Sequence, residues 1–402
     1  MTKYPLGNRD LIRAINRSAV LNTIKNFGPI SRTDIARRTG LSAATITGIT
    51  TDLIEDSLVF EKEQGDSSGG RRPILLALNP RGGFVVGLKL TEENVTAALT
   101  DLEATVIAKQ TILIEDMSVD MVINSIVEVV EKLEHQASIE QQNLYGVGIG
   151  LAGIIDADRG VLRYSPIFGW HDVPLVDLLQ SRLKVPVFID NDVNTFTLTE
   201  RWFGKGQGVD NFLTVTVGRG IGMGIVVNGQ LYHGVKGGAG EFGHTVINPE
   251  GPMCDCGKRG CLETYASDPA LVRAAKTSFE NGKMKKAVNS INELQTLAEE
   301  GDPGAKNVYA KAGETLGRGI ANLINVFNPE LIIIGGEGVG AGELLFKPLC
   351  EAVENYVMPG LADDTEIKIE LWNDDAWARG AAGLVLRELF ESPIHREVIE
   401  LL

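Results

Sequence analysis

Up to residue 56 the apolar positions of this 402-residue chain recur at helical spacing; from Gly83 onward they alternate or bunch into the short runs of strands. This one change of period divides the chain into a small helical head and a large α/β body. It also fits the length, which exceeds what a single core organises. Leu11, Ile12, Ala14, Ile15, Ala19, Val20, Ile24 and Phe27 predict a helix over 9–27, stopped by Gly28-Pro29. Ser31 and Asp34 form a shortened capping box for a second helix that ends at Thr39 before Gly40, and Ser42 caps a third, 43–56. Its Ile46, Ile49 and Leu53 make one stripe. Ala36, Gly40, Ile46 and Ile49 stand at spacings that let two helices cross closely, the pattern of a helix-turn-helix.

An ordinary three-helix bundle would share that pattern, so the residues that follow matter. Leu58–Glu61 and Pro73–Leu78 predict the two strands of a wing, with Ser67-Ser68-Gly69-Gly70-Arg71-Arg72 at its tip. Arg71 and Arg72 beside flexible glycines suit a narrow minor groove. Lys25, Arg32, Arg37 and Arg38 are candidates to neutralise phosphates, and Ser42, Ala43, Ala44, Thr45 and Thr47 to meet base edges, thymine methyls included. The charge balance agrees. Residues 1–73 hold eleven Lys and Arg against eight Asp and Glu, a balance of +3, which leaves −18 for the rest of a chain whose formal charge is −15. Double-stranded operator DNA is the expected partner of the head only.

In the body, Phe84–Leu90, Val95–Leu102 and Thr105–Ile114, a helix over 118–137 and the strand Tyr145–Leu151 match an actin-like, ribonuclease-H-like half-domain. Pro186–Asp190 and Asn211–Thr216 begin a second round, followed by helices at 269–280, 286–300 and 304–327 and the strand Leu331–Ile334. The expected fold class is therefore α/β, an N-terminal winged helix-turn-helix followed by a two-lobed actin-like sugar-kinase fold. Its domains are 1–80, 81–195 completed by a C-terminal helix over 378–402, and 196–377, with a ligand cleft between the lobes. No apolar run is long enough to span a membrane and the first residues have no signal core, so a cytoplasmic protein without membrane insertion is expected.

Three of the four cysteines lie within eight residues. His244, Cys254, Cys256 and Cys261 supply four soft ligands for one tetrahedral zinc ion per chain, a structural site because every position is filled by protein. A zinc held through one ring nitrogen of His244 would fix Glu241, His244 and Glu263 against a polyol, since a carboxylate can accept from two neighbouring hydroxyls.

Gly240-Glu-Phe-Gly-His244, the Cys254-x-Cys-Gly-x-x-Gly-Cys261-x-Glu263 run, Asp190-Asn-Asp192 and Ile334-Gly-Gly336 together resemble the ROK family of repressors and sugar kinases over residues 83–390. The helix-turn-helix and the Gly-Gly-Arg-Arg-Pro wing resemble its repressor branch, that of the xylose and N-acetylglucosamine repressors. The resemblance implies a sugar site at Asn191, Asp192, Glu241, His244 and Glu263, with Asp192 at the position of the general base of the kinases. It departs from the family at Ser165-Pro-Ile-Phe-Gly-Trp170, where Pro166 stands in for a sugar-binding Asn. It departs again at the Asp-x-Gly-Gly-Thr phosphate motif, replaced here by Lys89, Leu90, Thr91, Glu92 and Glu93. Carboxylates where an ATP tail would lie repel it, so no catalytic residue is expected and the chain is read as a sensor, not an enzyme. The expected function is a repressor of carbohydrate-utilisation genes, acting as a dimer or dimer of dimers, whose operator binding responds to glucose, xylose or a related monosaccharide. The alternatives are an ATP-dependent sugar kinase with an accessory DNA-binding module, and an interaction protein controlled by a transporter or phosphotransfer component.

Overall fold

A computed structural model of the chain describes residues 9–63, 73–139, 143–371 and 376–390. The wing-tip Arg71 and Arg72 lie outside the described residues, as does the expected C-terminal helix beyond 390. The described residues form two compact units, one within 1–153, 158–190 and 377–402, the other 154–157 and 191–376.

The first unit opens with α1 (Arg9–Phe27), β1 (Ile30–Ser31), α2 (Arg32–Thr39) and α3 (Ala43–Glu55), then β2 (Val59–Glu63) and β3 (Ile74–Leu78). The caps act as the sequence requires. Ser31 Oγ accepts from Asp34 N at 3.1 Å and donates to the Asp34 carboxylate at 2.7 Å. Gly40 takes φ 71°, the left-handed conformation that ends α2. Leu21, Ile24, Ile35, Ile46 and Leu53 are sealed from solvent and lock the three helices together. The wing has a third strand that the sequence did not announce, β1, where Ile30 pairs with Leu76 of β3.

The unit continues as β4 (Phe84–Leu90), β5 (Asn94–Asp101), β6 (Val106–Leu113), α4 (Val119–Ala137) and β7 (Leu144–Leu151). After β8 (Ile154–Asp156), which belongs to the second unit, come β9 (Val161–Ser165), β10 (Trp170–Val173), α5 (Leu175–Leu183) and β11 (Val187–Asn191). The main sheet has the order β11-β7-β4-β5-β6, with β4–β5–β6 antiparallel and β7 parallel to β4. This is the expected half-domain, and the β9–β10 hairpin and α5 are additions to it.

The second unit contains α6 (Asp192–Phe203), β12 (Phe212–Val217), β13 (Ile221–Val227), β14 (Gln230–Leu231), α7 (Glu263–Ala266), α8 (Asp268–Glu280), α9 (Ile291–Glu299), α10 (Pro303–Phe327), β15 (Leu331–Gly335), α11 (Glu343–Tyr356) and β16 (Glu366–Ile369). Its sheet runs β14-β13-β12-β15-β16, with β15 parallel to both β12 and β16. The helix expected over 286–300 is shorter for a local reason. Ser290 caps the helix by accepting from Glu293 N at 3.2 Å, while the Glu293 carboxylate reaches past the cap to accept from Asn289 N at 2.8 Å, and α9 starts at Ile291. The last helix, α12 (Ala376–Phe390), closes the described chain, and Ser18 of α1 donates to Phe390 O at 3.3 Å.

Asp302 holds the start of the long α10. It is 1% exposed and accepts from Ala305 N and Lys285 N, both at 2.9 Å. Burial alone would raise its pKa, but these backbone donors, with Gly304 and the charge of Lys285, outweigh it and hold the carboxyl below its usual value. Because the folded pKa is depressed, the stabilisation is present at neutral pH and disappears as the pH falls through the carboxylate range. Asp302→Asn is expected to cost about 2–3 kcal/mol in urea unfolding at pH 7. The gap to the parent should narrow below about pH 4; a gap independent of pH would show that the cap does not act through its charge.

Candidate functional site

The loop that carries the Gly-Glu-Phe-Gly-His sequence lies directly on β13. Met223 N donates to Gly240 O at 3.1 Å, and a Cβ at Gly243 would stand 2.2 Å from Ile221 O. Only glycine allows that approach, so the glycine spacing exists to press Glu241 and His244 against the strand. Downstream, Val246 bridges to Cys261 and Met253 to Arg259, and Cys254 N donates to Lys258 O at 2.8 Å. These short pairings fold residues 246–261 back on themselves.

The folding brings together the four residues predicted to bind zinc. The ligand atoms of His244, Cys254, Cys256 and Cys261 all lie within 4.8 Å of one another. Cys254 Sγ is 3.5 Å from His244 Nδ1, and Cys256 Sγ is 3.6 Å from Cys261 Sγ, close to the edges of a tetrahedron built from bonds of about 2.0–2.3 Å. Burial, with the neighbouring thiols Cys256 and Cys254, pushes the Cys261 thiol up to about 12, and burial raises Cys254 as well. At the exposed Cys256 burial is outweighed by hydrogen bonds from Lys258 N and the neighbouring thiols, which lower it, so Cys254 and Cys261 are the thiols whose ionisation a cation must compensate. The donor set fits a structural zinc ion, with no position left for water or substrate.

Because Nδ1 of His244 faces the cluster, its Nε2 is the atom turned to Glu241, 3.8 Å from Oε2. The Glu241 carboxyl is raised above its usual value, first by burial and then by the charges of Glu263 and Asp192, against the lowering influence of His244 and Lys258. Three carboxylates and one imidazole therefore share one neighbourhood of the second unit. Glu263, the first residue of α7, accepts from Ile221 N at 3.0 Å, so its orientation is set by the same strand that positions Gly243. Asp192 opens α6, and Asn191 caps that helix by accepting from Val193 N at 2.8 Å. A set of acceptors fixed by backbone N–H groups and one ring nitrogen is suited to a polyhydroxylated ligand.

Two turns outside this cluster, the β4–β5 turn with the substituted phosphate motif and the glycine-rich β12–β13 turn, are engaged by this chain's own groups. At the β4–β5 turn Thr91 Oγ1 donates to Asn94 O at 3.1 Å and accepts from Asn94 N at 3.1 Å, so the substituted motif is spent on closing its own hairpin. In the β12–β13 turn a carboxylate oxygen of Glu337 lies 2.6 Å from where a Cβ of Gly218 would be. That proximity is absent from any reading of the sequence motifs, since Glu337 is far away in the chain. Pro166 sits in the β9–β10 turn, after which Trp170 Nε1 donates to Met117 O at 2.8 Å.

On the N-terminal module, Ser42, Ala43, Ala44 and Thr47 are exposed and Thr45 half-buried, along the first turns of α3. Ser42 Oγ accepts from Thr45 N at 3.2 Å and so caps the helix. The arginines divide by role. Arg37 is exposed and pairs with Asp34, and Arg38 stacks its guanidinium 3.9 Å over the Phe27 ring. Arg32 instead donates to Thr50 Oγ1 and to Glu61, both at 3.0 Å, tying α2 to α3 and β2.

Residues 85–388 match the model of the ROK family. The chain is 33% identical over 401 residues to a putative xylose repressor of Caldicellulosiruptor sp. (strain Rt8B.4), covering 96% of this chain and 99% of the relative. It is 31% identical over 399 residues to the N-acetylglucosamine repressor of Escherichia coli O157:H7, covering 98% of each. A crystal structure of a ROK family transcriptional regulator, described as a homolog of the E. coli MLC protein, superimposes with a TM-score of 0.87 at 30% identity, over 97% of this chain and 100% of that one. These matches run the whole length, through the winged helix-turn-helix, and all three relatives are regulators, consistent with the loss of kinase activity. The chain belongs to the ROK family and is related to its DNA-binding repressors.

Proposed function

We propose that the protein is a repressor of carbohydrate-utilisation genes whose hold on operator DNA is set by a monosaccharide bound at Asn191, Asp192, Glu241, His244 and Glu263. The observation that carries this reading is the convergence of Asp192, Glu241 and Glu263 beside His244, whose other ring nitrogen faces the cysteine cluster, in a chain whose phosphate motif is replaced at Lys89, Thr91, Glu92 and Glu93. Sugar binding without phosphoryl transfer leaves occupancy itself as the output. Glucose, xylose or a related monosaccharide fits the acceptors, and the Pro166 substitution removes one amide contact, which favours a ligand held chiefly by carboxylates.

Two copies would present paired recognition helices to a pseudo-palindromic operator, since one module alone covers too little DNA for specific binding. The Arg71-Arg72 tip would then reach the adjacent minor groove. Among the described residues no helix is long and apolar enough to cross a membrane; a cytoplasmic location is part of the proposal, because the operator is DNA. Sugar alters operator affinity only in so far as it binds the DNA-competent and DNA-free states unequally.

The test is operator binding by fluorescence anisotropy across a panel of pentoses, hexoses and N-acetylhexosamines. One sugar is expected to change affinity about tenfold or more, a coupling of at least about 1.4 kcal/mol. Glu263→Ala should abolish the response while leaving sugar-free operator binding within about twofold of the parent. A response that survives in Glu263→Ala would remove Glu263 from the site, and no response to any sugar would refute the reading.

A further inference from the structure

The last helix, α12, lies backbone against backbone on the main sheet of the first unit. A Cβ at Gly87 of β4 would stand 2.2 Å from Ala378 O, and one at Gly148 of β7 1.8 Å from Ala381 O. A helix and strands in such contact move as one body, since a packed interior is not continuously deformable. The far end of the same helix rests on the N-terminal head. Ser18 donates to Phe390 O at 3.3 Å, Asn22 Nδ2 donates to the same oxygen, and Lys25 Nζ stands 4.6 Å from the centre of the Phe390 ring. Residues 18, 22 and 25 share one face of α1, and the Phe390 side chain is fully buried. α1 is joined in turn to α3, by ion pairs from Arg13 to Asp52 and from Arg17 to the C-cap Asp56, both at 2.7 Å. At its other end α12 starts from Ala376, the last residue of the second unit, whose carbonyl accepts from Thr199 Oγ1 of α6 at 3.1 Å. Asp192 opens that same α6.

We propose that the end of α12 is a latch: Phe390 holds the head at one angle to the main sheet, and α12 carries displacements of α6 to the reading helix α3. The proposal deepens the repressor reading and rests on it. Its physical content is preorganisation. Two heads held at fixed angles meet two half-sites without a further ordering cost, whereas freed heads must be ordered on the DNA. A single half-site makes no such demand. Strain on the latch is then the route by which a sugar held at the start of α6 lowers affinity for a two-half-site operator.

Anisotropy titrations of the full chain with duplexes that it selects from a random pool, carrying either two half-sites or one, test the latch. Phe390→Ala is expected to lose at least about tenfold in affinity for the two-half-site duplex and less than about twofold for the single one. Ser18→Ala combined with Asn22→Ala removes both donors, leaves Phe390 in place, and gives the same reading should Phe390→Ala not fold. Phe390→Leu, which keeps an apolar plug, should restore most of the affinity. In the latch variants glucose, xylose or whichever panel sugar acts on the parent should still raise the melting midpoint, while the change it makes in two-half-site affinity falls below about twofold. Equal two-half-site affinity in the parent and a folded latch variant, an equal loss for one half-site and two, or an undiminished sugar effect would each overturn the proposal. A parent indifferent to every sugar would end the sugar reading and with it the transmission through α12; the comparison of one half-site with two would still decide the latch.

Discussion

Stripping the metal from the His244, Cys254, Cys256 and Cys261 cluster is expected to lower the stability of the protein by about 3–5 kcal/mol, roughly 10 °C in melting temperature. The size follows from what the ion replaces. Between Val246 and Cys261 the loop is held to itself by two isolated bridges and a few turn hydrogen bonds, too little to offset the entropy of ordering it. Without a cation, the buried thiols of Cys254 and Cys261, which resist ionisation, would remain packed beside the His244 imidazole. Cys256→Ser, which keeps three donors, should lose most of the same stability, and dialysis against a chelator followed by zinc should restore the parent alone. Binding must release protons from thiols as unwilling to ionise as Cys261, so metal affinity is expected to fall as the pH is lowered. Replacement by cobalt should produce thiolate charge-transfer bands. An unchanged midpoint in the metal-free parent would mean that the loop is ordered by protein contacts alone. Sugar response should vanish together with the metal, because the cluster fixes the His244 ring that faces Glu241.

Much of this architecture is legible in the chain, and the legible parts share a cause. Ser31, Gly40, Ser42 and the Ile46/Ile49/Leu53 stripe act over four residues or fewer, so local rules place α2 and α3 almost to the residue. The metal cluster is equally local, with all but His244 inside one tight loop. Sequence order alone also reveals the β4–β5–β6, α4, β7 succession. The misses are long-range or overlooked local signals. The Ser290 cap with Glu293 three residues on was present to be read, and would have started α9 at Ile291. The pairing of β1 with β3 links residues separated by the whole helix-turn-helix and has no signature in a two-residue strand. Glu337 over Gly218 and the orphaned Tyr309 hydroxyl depend on how α10 and the β15 turn come back onto the β12–β13 turn, which no spacing encodes. Arg32 is instructive in the opposite sense. As a basic residue at the start of α2 it reads as a phosphate contact, while its guanidinium is engaged with Thr50 and Glu61, so any part it plays at DNA is through the placement of α3.

That placement leads to the second large effect, at Ala44. Ala44→Glu is expected to weaken specific operator binding at least a hundredfold, about 2.7 kcal/mol or more, with the fold unchanged. The side chain at 44 is exposed and lies on the face opposite Ile46, Ile49 and Leu53, so the core does not feel the substitution and stability should stay within about 0.5 kcal/mol. An acid in the first turn of α3 even complements the helix dipole. Against DNA the same carboxylate is unfavourable twice, once by proximity to phosphates and once by losing its water in a groove where the surrounding Ser42, Ala43 and Thr47 supply no cation to pair with it. Arg37→Ala and Arg38→Ala should behave differently, weakening all sequences alike and reducing the dependence of binding on salt by about one ion each. Arg32→Ala should instead lower the stability of the N-terminal module, by loosening α3 from β2. Anisotropy titrations of operator and scrambled DNA at several salt concentrations, paired with melting curves, distinguish the three patterns. If Ala44→Glu bound operator as the parent does, α3 would not be the reading helix, and the head would have to engage DNA through another surface.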